Sequence, residues 1–137
     1  MQIASETGAL KKAYDALNRN DIPAMTQSFD PQIEWSLPLG FPRGGTYLGL
    51  AAVEALLSES RARWAEGSCE PERFIVAGDR IIVFVHVHVR LKDETEWREG
   101  SLADVYTFRN GRIIQVRVFE ERGQARAWAG VEAADAT

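Results

Sequence analysis

The stretch from Ile81 to Leu91 constrains the fold most strongly, because it has the pattern of one long strand with two unlike faces. Side chains on a strand point alternately to opposite faces of its sheet. One face is an unbroken aliphatic row: Ile81, Val83, Val85, Val87, Val89 and Leu91. The other face carries Phe84, His86, His88 and Arg90. Such a strand belongs to a sheet that has one face on a core and the other available to a partner.

The second half of the chain predicts a meander of strands around this one. Hydrophobic alternation with the strand period predicts strands over residues 70–77, 80–91, 96–109 and 112–120. Gly78-Asp79 and Asn110-Gly111 are typical of tight hairpin turns, and Asn-Gly is the strongest signal of this kind. A short helix over residues 123–129, anchored by Trp128, is predicted to follow.

The first half has the spacing of helices instead. Apolar residues at helical spacing predict a helix over residues 5–19, a short one capped by Asp21, and a third over residues 50–64. A short strand over residues 33–37 is cut off by Pro38, and the glycine- and proline-rich loop over residues 38–49 is predicted to contain no strand. Three helices followed by strands indicate an α+β fold, with the helices packed on one face of a curved antiparallel sheet.

Length and composition indicate a single domain and exclude several classes of partner. The 137 residues suit one domain over residues 1–130 with a frayed tail over residues 131–137. A net charge of −4 gives no reason to expect nucleic acid or an anionic membrane as partner. Cys69 is the single cysteine, and we expect an inert thiol. Neither a signal peptide nor an apolar run of membrane-spanning length is evident, so we expect a soluble, cytoplasmic protein.

The hairpins determine which residues share a face of the sheet. If Asp93-Glu94 is the turn, Val85 lies opposite Leu102 and Val83 lies opposite Asp104. A bulged turn at Gly111 then brings the apolar row of the last strand onto the same face: Ile114, Val116 and Val118, ending at Glu120. Asp104 and Glu120 are therefore carboxylates on an otherwise apolar face, where they need partners or a function. For Glu120, solvation or pairing with Arg122 is the alternative.

The opposite face has the composition of an interface. It combines aromatic, arginine and aliphatic side chains: Phe84, His86, His88, Arg90, Trp97, Glu99, Ala103, Val105, Gln115, Arg117 and Phe119. We expect a homodimer through this face, with His86, His88 and Arg117 near its centre. The imidazoles of His86 and His88 share a strand face, but no third ligand beyond Glu99 is evident, so no metal site is predicted.

Several short motifs in order and spacing resemble the nuclear transport factor 2-like superfamily, in its SnoaL-like and ketosteroid-isomerase-related branch. The segments that carry the resemblance are residues 14–21 (YDALNRND), 33–35 (IEW), 44–53 (GGTYLGLAAV), 104–113 (DVYTFRNGRI) and 116–120 (VRVFE). The resemblance implies a cone-shaped α+β domain with an apolar pocket inside a curved sheet, and a dimer through the outer face of that sheet. It does not imply a single function, because members include isomerases, cyclases, dehydratases and epoxide hydrolases.

With such a pocket, the face assignments predict the site residues. Asp104 and Tyr14 are the candidate catalytic groups, and the predicted ligand-binding residues are Trp35, Leu37, Leu57, Trp64, Tyr106, Val116, Val118 and Glu120. Asp104 is either an acid or ligand-orienting donor, or a structural carboxylate satisfied by Tyr14, Trp35 or the backbone. The predicted partner is a small apolar molecule, and no cofactor is expected.

The resemblance does not carry over a complete catalytic set. Ketosteroid isomerases use a first-helix tyrosine, a general-base aspartate on the first strand and a protonated aspartate on a later strand. Their tyrosine position falls at Ala13, beside Tyr14, their base falls at or near Leu37, and Asp104 matches the last aspartate. The arginine and aspartate of limonene-type epoxide hydrolases would fall near Leu102 and Val118. Two hypotheses remain: a cofactor-free acid–base enzyme acting on an apolar, cyclic carbonyl or hydroxyl compound, and a non-catalytic ligand-binding or interaction module.

Overall fold

The computed structural model describes residues 2–131, and side chains from Ser5 onward. Its helices are α1 (Gln2–Asn18), α2 (Ile22–Met25), α3 (Leu50–Ala62) and α4 (Arg122–Ala129). Its strands are β1 (Phe29–Leu37), β2 (Gly45–Leu48), β3 (Trp64–Ala77), β4 (Arg80–Leu91), β5 (Arg98–Arg109) and β6 (Arg112–Phe119). The predicted α+β class is confirmed, whereas the predicted frayed tail, beyond residue 131, lies outside the described residues. None of the described helices has the length and apolar character that crossing a membrane requires.

The six described strands form one curved sheet in the order β2-β1-β6-β5-β4-β3. Neighbouring strands are antiparallel except β1 and β6, which run parallel. This parallel pair joins the N-terminal β1–β2 hairpin to the meander formed by β3 to β6. The sheet is thus mainly antiparallel, as predicted, but its one described parallel pair joins strands from the two halves of the chain.

Three element boundaries were predicted wrongly. Strand β1 begins at Phe29 and not at residue 33. The loop over residues 38–49 contains strand β2, because Gly45–Leu48 pairs with the end of β1 and the hydroxyls of Ser36 and Thr46 lie 3.0 Å apart. Strand β3 begins at Trp64 instead of residue 70, so Trp64 belongs to this strand and not to α3. Pro71 is accommodated because β3 is an edge strand with register shifts between Trp64 and Glu66 and between Pro71 and Arg73.

The main core lies between the sheet and helices α1 to α3. The aliphatic face of β4 enters it as predicted, since Ile81, Val83 and Val85 are fully buried there. From the helices, the core receives mainly Leu10, Tyr14, Val53, Leu56 and Leu57. Burial of these apolar faces is the main stabilising contribution to a fold of this kind.

The opposite face was predicted to be available to a partner chain, but part of it is covered within this chain. Helix α4 packs on it and buries a second cluster, made of Ile82, Phe84, Ala103, Val105 and Ala125. Arginine side chains strengthen this packing, because Arg122 stacks 4.4 Å above the ring of Phe84 and Arg80 stacks 4.1 Å above Trp128. The expectation of exposed apolar side chains on this face was therefore wrong for Phe84 and Val105. Amphipathic α4 covers this end of the sheet from within the same chain.

The far end of that face stays accessible. His88 stacks on Trp97 with ring centroids 4.4 Å apart, and Nε2 of His86 lies 2.9 Å from the Glu99 carboxylate. Trp97, directly before β5, keeps 43% of its surface exposed. The cross-strand pair of His88 with Glu99 is present as predicted.

The register of the hairpins agrees with the prediction, apart from the site of the bulge. Val83 pairs with Asp104, and Asp104 pairs with Val118. The shift that permits the second pairing falls at Ile114 and not at Gly111, since Ile113 still pairs with Phe108. As a consequence, Ile113 enters the core, whereas Ile114 was predicted there.

Candidate functional site

A cavity of about 180 Å³ lies among α1, α2, α3, the loop after β1 and the inner face of the sheet. Eight of the ten predicted site residues line it: Tyr14, Trp35, Leu37, Leu57, Trp64, Asp104, Tyr106 and Val118. Other residues along it are Leu17, Met25, Phe41, Leu56, Ser60, Arg61, Cys69, Val85 and Leu102. The surface is mainly aliphatic and aromatic, and Asp104 is the carboxylate among these lining residues.

Two predicted ligand-binding residues do not line the cavity. Val116 is fully buried in the core, where the sheet places it between Trp35 and Tyr106. Glu120 follows the end of β6, is exposed, and faces an outer groove beside Gln124 and Trp128. The continuous row predicted for this face therefore ends at Val118. Of the two alternatives for Glu120, solvation agrees with its exposure, whereas Arg122 donates to Glu72 at 3.3 Å.

The lining residues that the sequence analysis missed fall into two groups. Val85 and Leu102 share the inner face with Asp104, so their strand positions were a usable signal. Phe41 lies in an irregular loop. Arg61 lies at the end of α3, and Cys69 lies in the first part of β3, which was not predicted. No periodicity marks residues of this second group.

Three polar side chains form a hydrogen-bonded chain within the cavity wall. The hydroxyl of Tyr106 donates to the hydroxyl of Tyr14 at 2.9 Å, and the hydroxyl of Tyr14 donates to Oδ2 of Asp104 at 2.6 Å. The two rings meet edge to face with centroids 6.2 Å apart. Tyr14 projects from the buried face of α1, so the N-terminal helix supplies the donor that satisfies this carboxylate oxygen.

Burial changes the ionisation of these groups. It raises the pKa of Asp104 to about 6, although the hydrogen bond from Tyr14 acts in the opposite direction. Burial, together with the nearby Asp104, raises the pKa of Tyr14 and of Tyr106, so both remain protonated donors at neutral pH. The pKa of Cys69 rises to about 12 for the same two reasons, which agrees with an inert thiol.

Two polar atoms of the lining residues are buried without a hydrogen-bond partner among the residues described. They are Oδ1 of Asp104 and Nε1 of Trp35. Of the partners predicted for Asp104, the structure therefore shows Tyr14 and does not show the indole of Trp35. Most buried polar atoms in native proteins are satisfied, so an atom without a partner at a cavity indicates a contact made from outside the chain.

Arg61 is the positively charged residue among those that line the cavity, and its guanidinium binds backbone carbonyl groups. Its guanidinium donates to the carbonyl oxygens of Leu17 and Asn18, at 2.8 Å and 3.0 Å. These carbonyls end helix α1, where the helix dipole favours a positive charge. The same group stacks 4.5 Å above the ring of Trp64. Arg61 therefore joins α1 and α3 at one side of the cavity.

Metal ligation is not suggested by the described residues, since no group of three or more His, Cys, Asp and Glu side chains converges among them. The two imidazoles that share a strand face, His86 and His88, lie on the outer face and contact Glu99 and Trp97. The polar groups of the residues that line the cavity are therefore one carboxyl group, two phenols, two indoles, a hydroxyl, a thiol and a guanidinium.

The fold is shared with several solved structures. A nuclear transport factor 2-like protein from Burkholderia xenovorans is 27% identical, with a TM-score of 0.72 over 92% of this chain and 95% of that one. TerC, co-crystallised with polyporic acid, is 22% identical, with a TM-score of 0.76 over 92% and 98% of the two chains. A Catenulispora acidiphila protein of ketosteroid isomerase-like fold, in complex with trimethylamine, is 16% identical, with a TM-score of 0.69 over 94% and 95%.

No significant match was found among curated proteins. The sequence profile of the SnoaL-like domain, in contrast, matches residues 10–116, which include the second half of α1, the first five strands and most of β6. This span contains Tyr14, Trp35 and Asp104, the three residues on which the polar chemistry of the cavity depends. The chain belongs to the SnoaL-like domain family of the nuclear transport factor 2-like superfamily.

Proposed function

We propose that the protein binds a small, mostly apolar compound in the cavity and that Asp104 holds the polar group of this compound. The observation that carries the proposal is Oδ1 of Asp104, an acceptor without a partner in a mainly aliphatic and aromatic cavity. An unsatisfied buried carboxylate oxygen is costly. A ligand that donates a hydrogen bond to it would remove that cost and add apolar contact with the walls.

The volume limits the size of the ligand. An engineered apolar cavity of about 150 Å³ is large enough for benzene. The present cavity of about 180 Å³ therefore suits a single ring with one or two small substituents. The four fused rings of a steroid would exceed it. Together with Leu37 at the position of the general base, this supports the expectation that steroid isomerisation is weak or absent.

The related structures support a ligand-binding role. TerC was co-crystallised with polyporic acid, and the Catenulispora acidiphila protein with trimethylamine, so the fold accommodates organic compounds in these two proteins. At 22% and 16% identity they share the fold with this chain, and they do not specify its ligand. The chemistry of the cavity itself has to supply that information.

Acid–base catalysis without a cofactor is a second candidate, favoured by the titration of Asp104. A carboxyl group with a pKa of about 6 can accept or return a proton near neutral pH. Isomerisation, cyclisation or dehydration of the bound compound would be reactions of this kind. The described cavity offers no second carboxylate, and Leu37 cannot transfer a proton, which makes binding the first candidate. Substitution of Asp104 by Asn should abolish any turnover while retaining ligand.

Binding of p-cresol and toluene tests the proposed function. We expect native protein to bind p-cresol more tightly than toluene. Asp104→Asn should lower the affinity for p-cresol about tenfold and leave the affinity for toluene unchanged. The reason is that a hydrogen bond to a charged acceptor is worth about 1.5–3 kcal/mol, of which the amide keeps part. Isothermal titration calorimetry measures both affinities. The matched control is Asp93→Asn, in an exposed loop. Equal affinities of native protein for the two compounds would contradict the proposal.

The homodimer through the outer sheet face remains a prediction, and we propose that its centre is the accessible end around His88 and Trp97. Light scattering at micromolar concentration is expected to give the mass of a dimer, and Trp97→Asp is expected to give that of a monomer, since it places a charge on the exposed apolar part of this surface. Leu48→Asp, at an exposed position on β2 at the other edge of the sheet, is the control. A monomeric mass for native protein would end this prediction.

A further inference from the structure

The two unpartnered atoms of the cavity are of opposite hydrogen-bonding type. An indole nitrogen only donates, and a carboxylate oxygen only accepts. Nε1 of Trp35 and Oδ1 of Asp104 are both buried, both belong to residues that line the same cavity, and neither has a partner in the described part of the chain. Leaving each such atom unsatisfied costs about 1–3 kcal/mol. The cavity therefore calls for one acceptor and one donor from a bound molecule.

The sheet separates these two residues by two strand spacings. Trp35 lies on β1 beside Val116 of β6, and Val116 lies beside Tyr106 of β5. Asp104 is two positions from Tyr106 on the same strand. Neighbouring strands are about 4.8 Å apart and two residues along a strand span about 6.7 Å, so the backbones of Trp35 and Asp104 are separated by roughly 12 Å. One oxygen atom between the two groups is less suited to this spacing than a ring with a polar group at each end.

The orientation of Trp35 is set by its surroundings. Its ring packs against Phe29 with centroids 6.0 Å apart, and the residue is 6% exposed. On the other side, Asp104 is held through Oδ2 by the hydroxyl of Tyr14. Both groups are thus pre-positioned, which lowers the entropic cost of a contact with a ligand.

We propose, on the basis of the proposed function, that the ligand is a single-ring compound with both a hydroxyl and a carbonyl group. The hydroxyl donates to Asp104, and the carbonyl oxygen accepts from the indole N–H of Trp35. A simple phenol satisfies Asp104 and leaves Trp35 without an acceptor, and so does a protonated amine. A ketone or aldehyde without a hydroxyl leaves Asp104 unsatisfied. Of these compounds, the one with both a hydroxyl and a carbonyl group meets both requirements.

Four matched compounds separate these contacts: toluene, p-cresol, p-tolualdehyde and p-hydroxybenzaldehyde. We expect p-hydroxybenzaldehyde to bind most tightly to native protein. Trp35→Phe should lower the affinity for both aldehydes about tenfold, which is the upper end for one neutral hydrogen bond. It should leave the affinities for p-cresol and toluene unchanged. Trp128→Phe is the matched control, since this indole lies in α4 beside the outer groove and does not line the cavity. Calorimetric titration of the native protein and the two variants gives every affinity.

A second measurement does not depend on the folding of a variant. The chain has four tryptophans, so four indole N–H signals are expected in a nitrogen-15 correlation spectrum of native protein. Saturating p-hydroxybenzaldehyde should shift the Trp35 signal downfield, whereas p-cresol should not. A Trp35 signal that responds equally to both compounds would overturn the inference.

The outcomes separate this inference from the function on which it rests. If p-cresol binds through Asp104 but Trp35 does not increase the affinity for the aldehydes, the inference of a bifunctional ligand is wrong and the proposed function stands. If Asp104 does not increase the affinity for p-cresol, the proposed function fails, and the inference fails with it. Aldehyde binding that weakens in Trp35→Phe and stays unchanged in Trp128→Phe supports both.

Discussion

Replacing Gly67 by alanine is expected to destabilise the protein by about 3 kcal/mol or more, because both the backbone angle and the available space require glycine. Gly67 has a φ of +124°, which L side chains rarely adopt. An added Cβ would lie 2.2 Å from the carbonyl oxygen of His88 and 2.5 Å from Cα of Val89. These are backbone atoms of β4, which is hydrogen-bonded on both sides. Relief of the clash would have to separate β3 from its only neighbour in the described sheet.

Urea unfolding of Gly67→Ala and Gly100→Ala measures this effect. Gly100 lies in β5 with nothing within 4 Å of an added Cβ, so its substitution is expected to change the free energy of unfolding by less than about 1 kcal/mol. Gly67→Ala should also weaken p-cresol binding, since the adjoining part of β3 supplies Trp64 and Cys69 to the cavity. Equal stabilities of the two variants would show that β3 adapts without cost.

The second large effect concerns pH and Asp104. Because burial raises the pKa of Asp104 to about 6, its carboxyl contributes stability that is fully present below the pKa of the unfolded chain, near 3.9, and is lost as the pH rises through about 6. A displacement of about two pKa units corresponds to roughly 3 kcal/mol. In the variant Asp104→Asn this dependence is removed. The stability of the variant relative to native protein should therefore increase by roughly 3 kcal/mol between about pH 4 and about pH 7.

Denaturant unfolding at several pH values measures this difference. The groups facing Asp104 are Tyr14, Tyr106 and Cys69, whose pKa values are all raised, so none of them titrates in this interval. Asp93→Asn is the control, and its stability should parallel that of native protein at every pH. A constant difference between Asp104→Asn and native protein across the interval would show that burial does not affect the ionisation of Asp104.

The sequence predicted the inner face of the sheet because hairpin pairing is local. Short turns and alternating side chains were sufficient to pair Val83 with Asp104 and to place Val118 on the same face as Asp104. What failed were features that depend on contacts distant in sequence. Strand β2 exists through its pairing with β1 despite the neighbouring glycines and prolines, and α4 covers Phe84 through packing that no periodicity reveals.

The same distinction applies to the site. Asp104 and Tyr14, from opposite ends of the chain, were both predicted to reach the cavity, one from its strand face and the other from its helix face together with the family resemblance. Glu120 was misassigned because strand alternation was extended one residue beyond the end of β6. Phe41 was missed because an irregular loop has no period, and only the folded loop brings its ring to the cavity.

The parallel pairing of β1 with β6 has a consequence for the order of folding. Trp35 becomes the neighbour of Val116 only when the last strand is in place, and Tyr14 and Asp104 are separated by 90 residues. Contacts of such long sequence separation are slow to form. During synthesis from the N-terminus, the β1–β2 hairpin exists well before β6 emerges. The cavity is therefore completed only by the last strand of the sheet. A partial chain that lacks this strand exposes the apolar walls of the cavity to water.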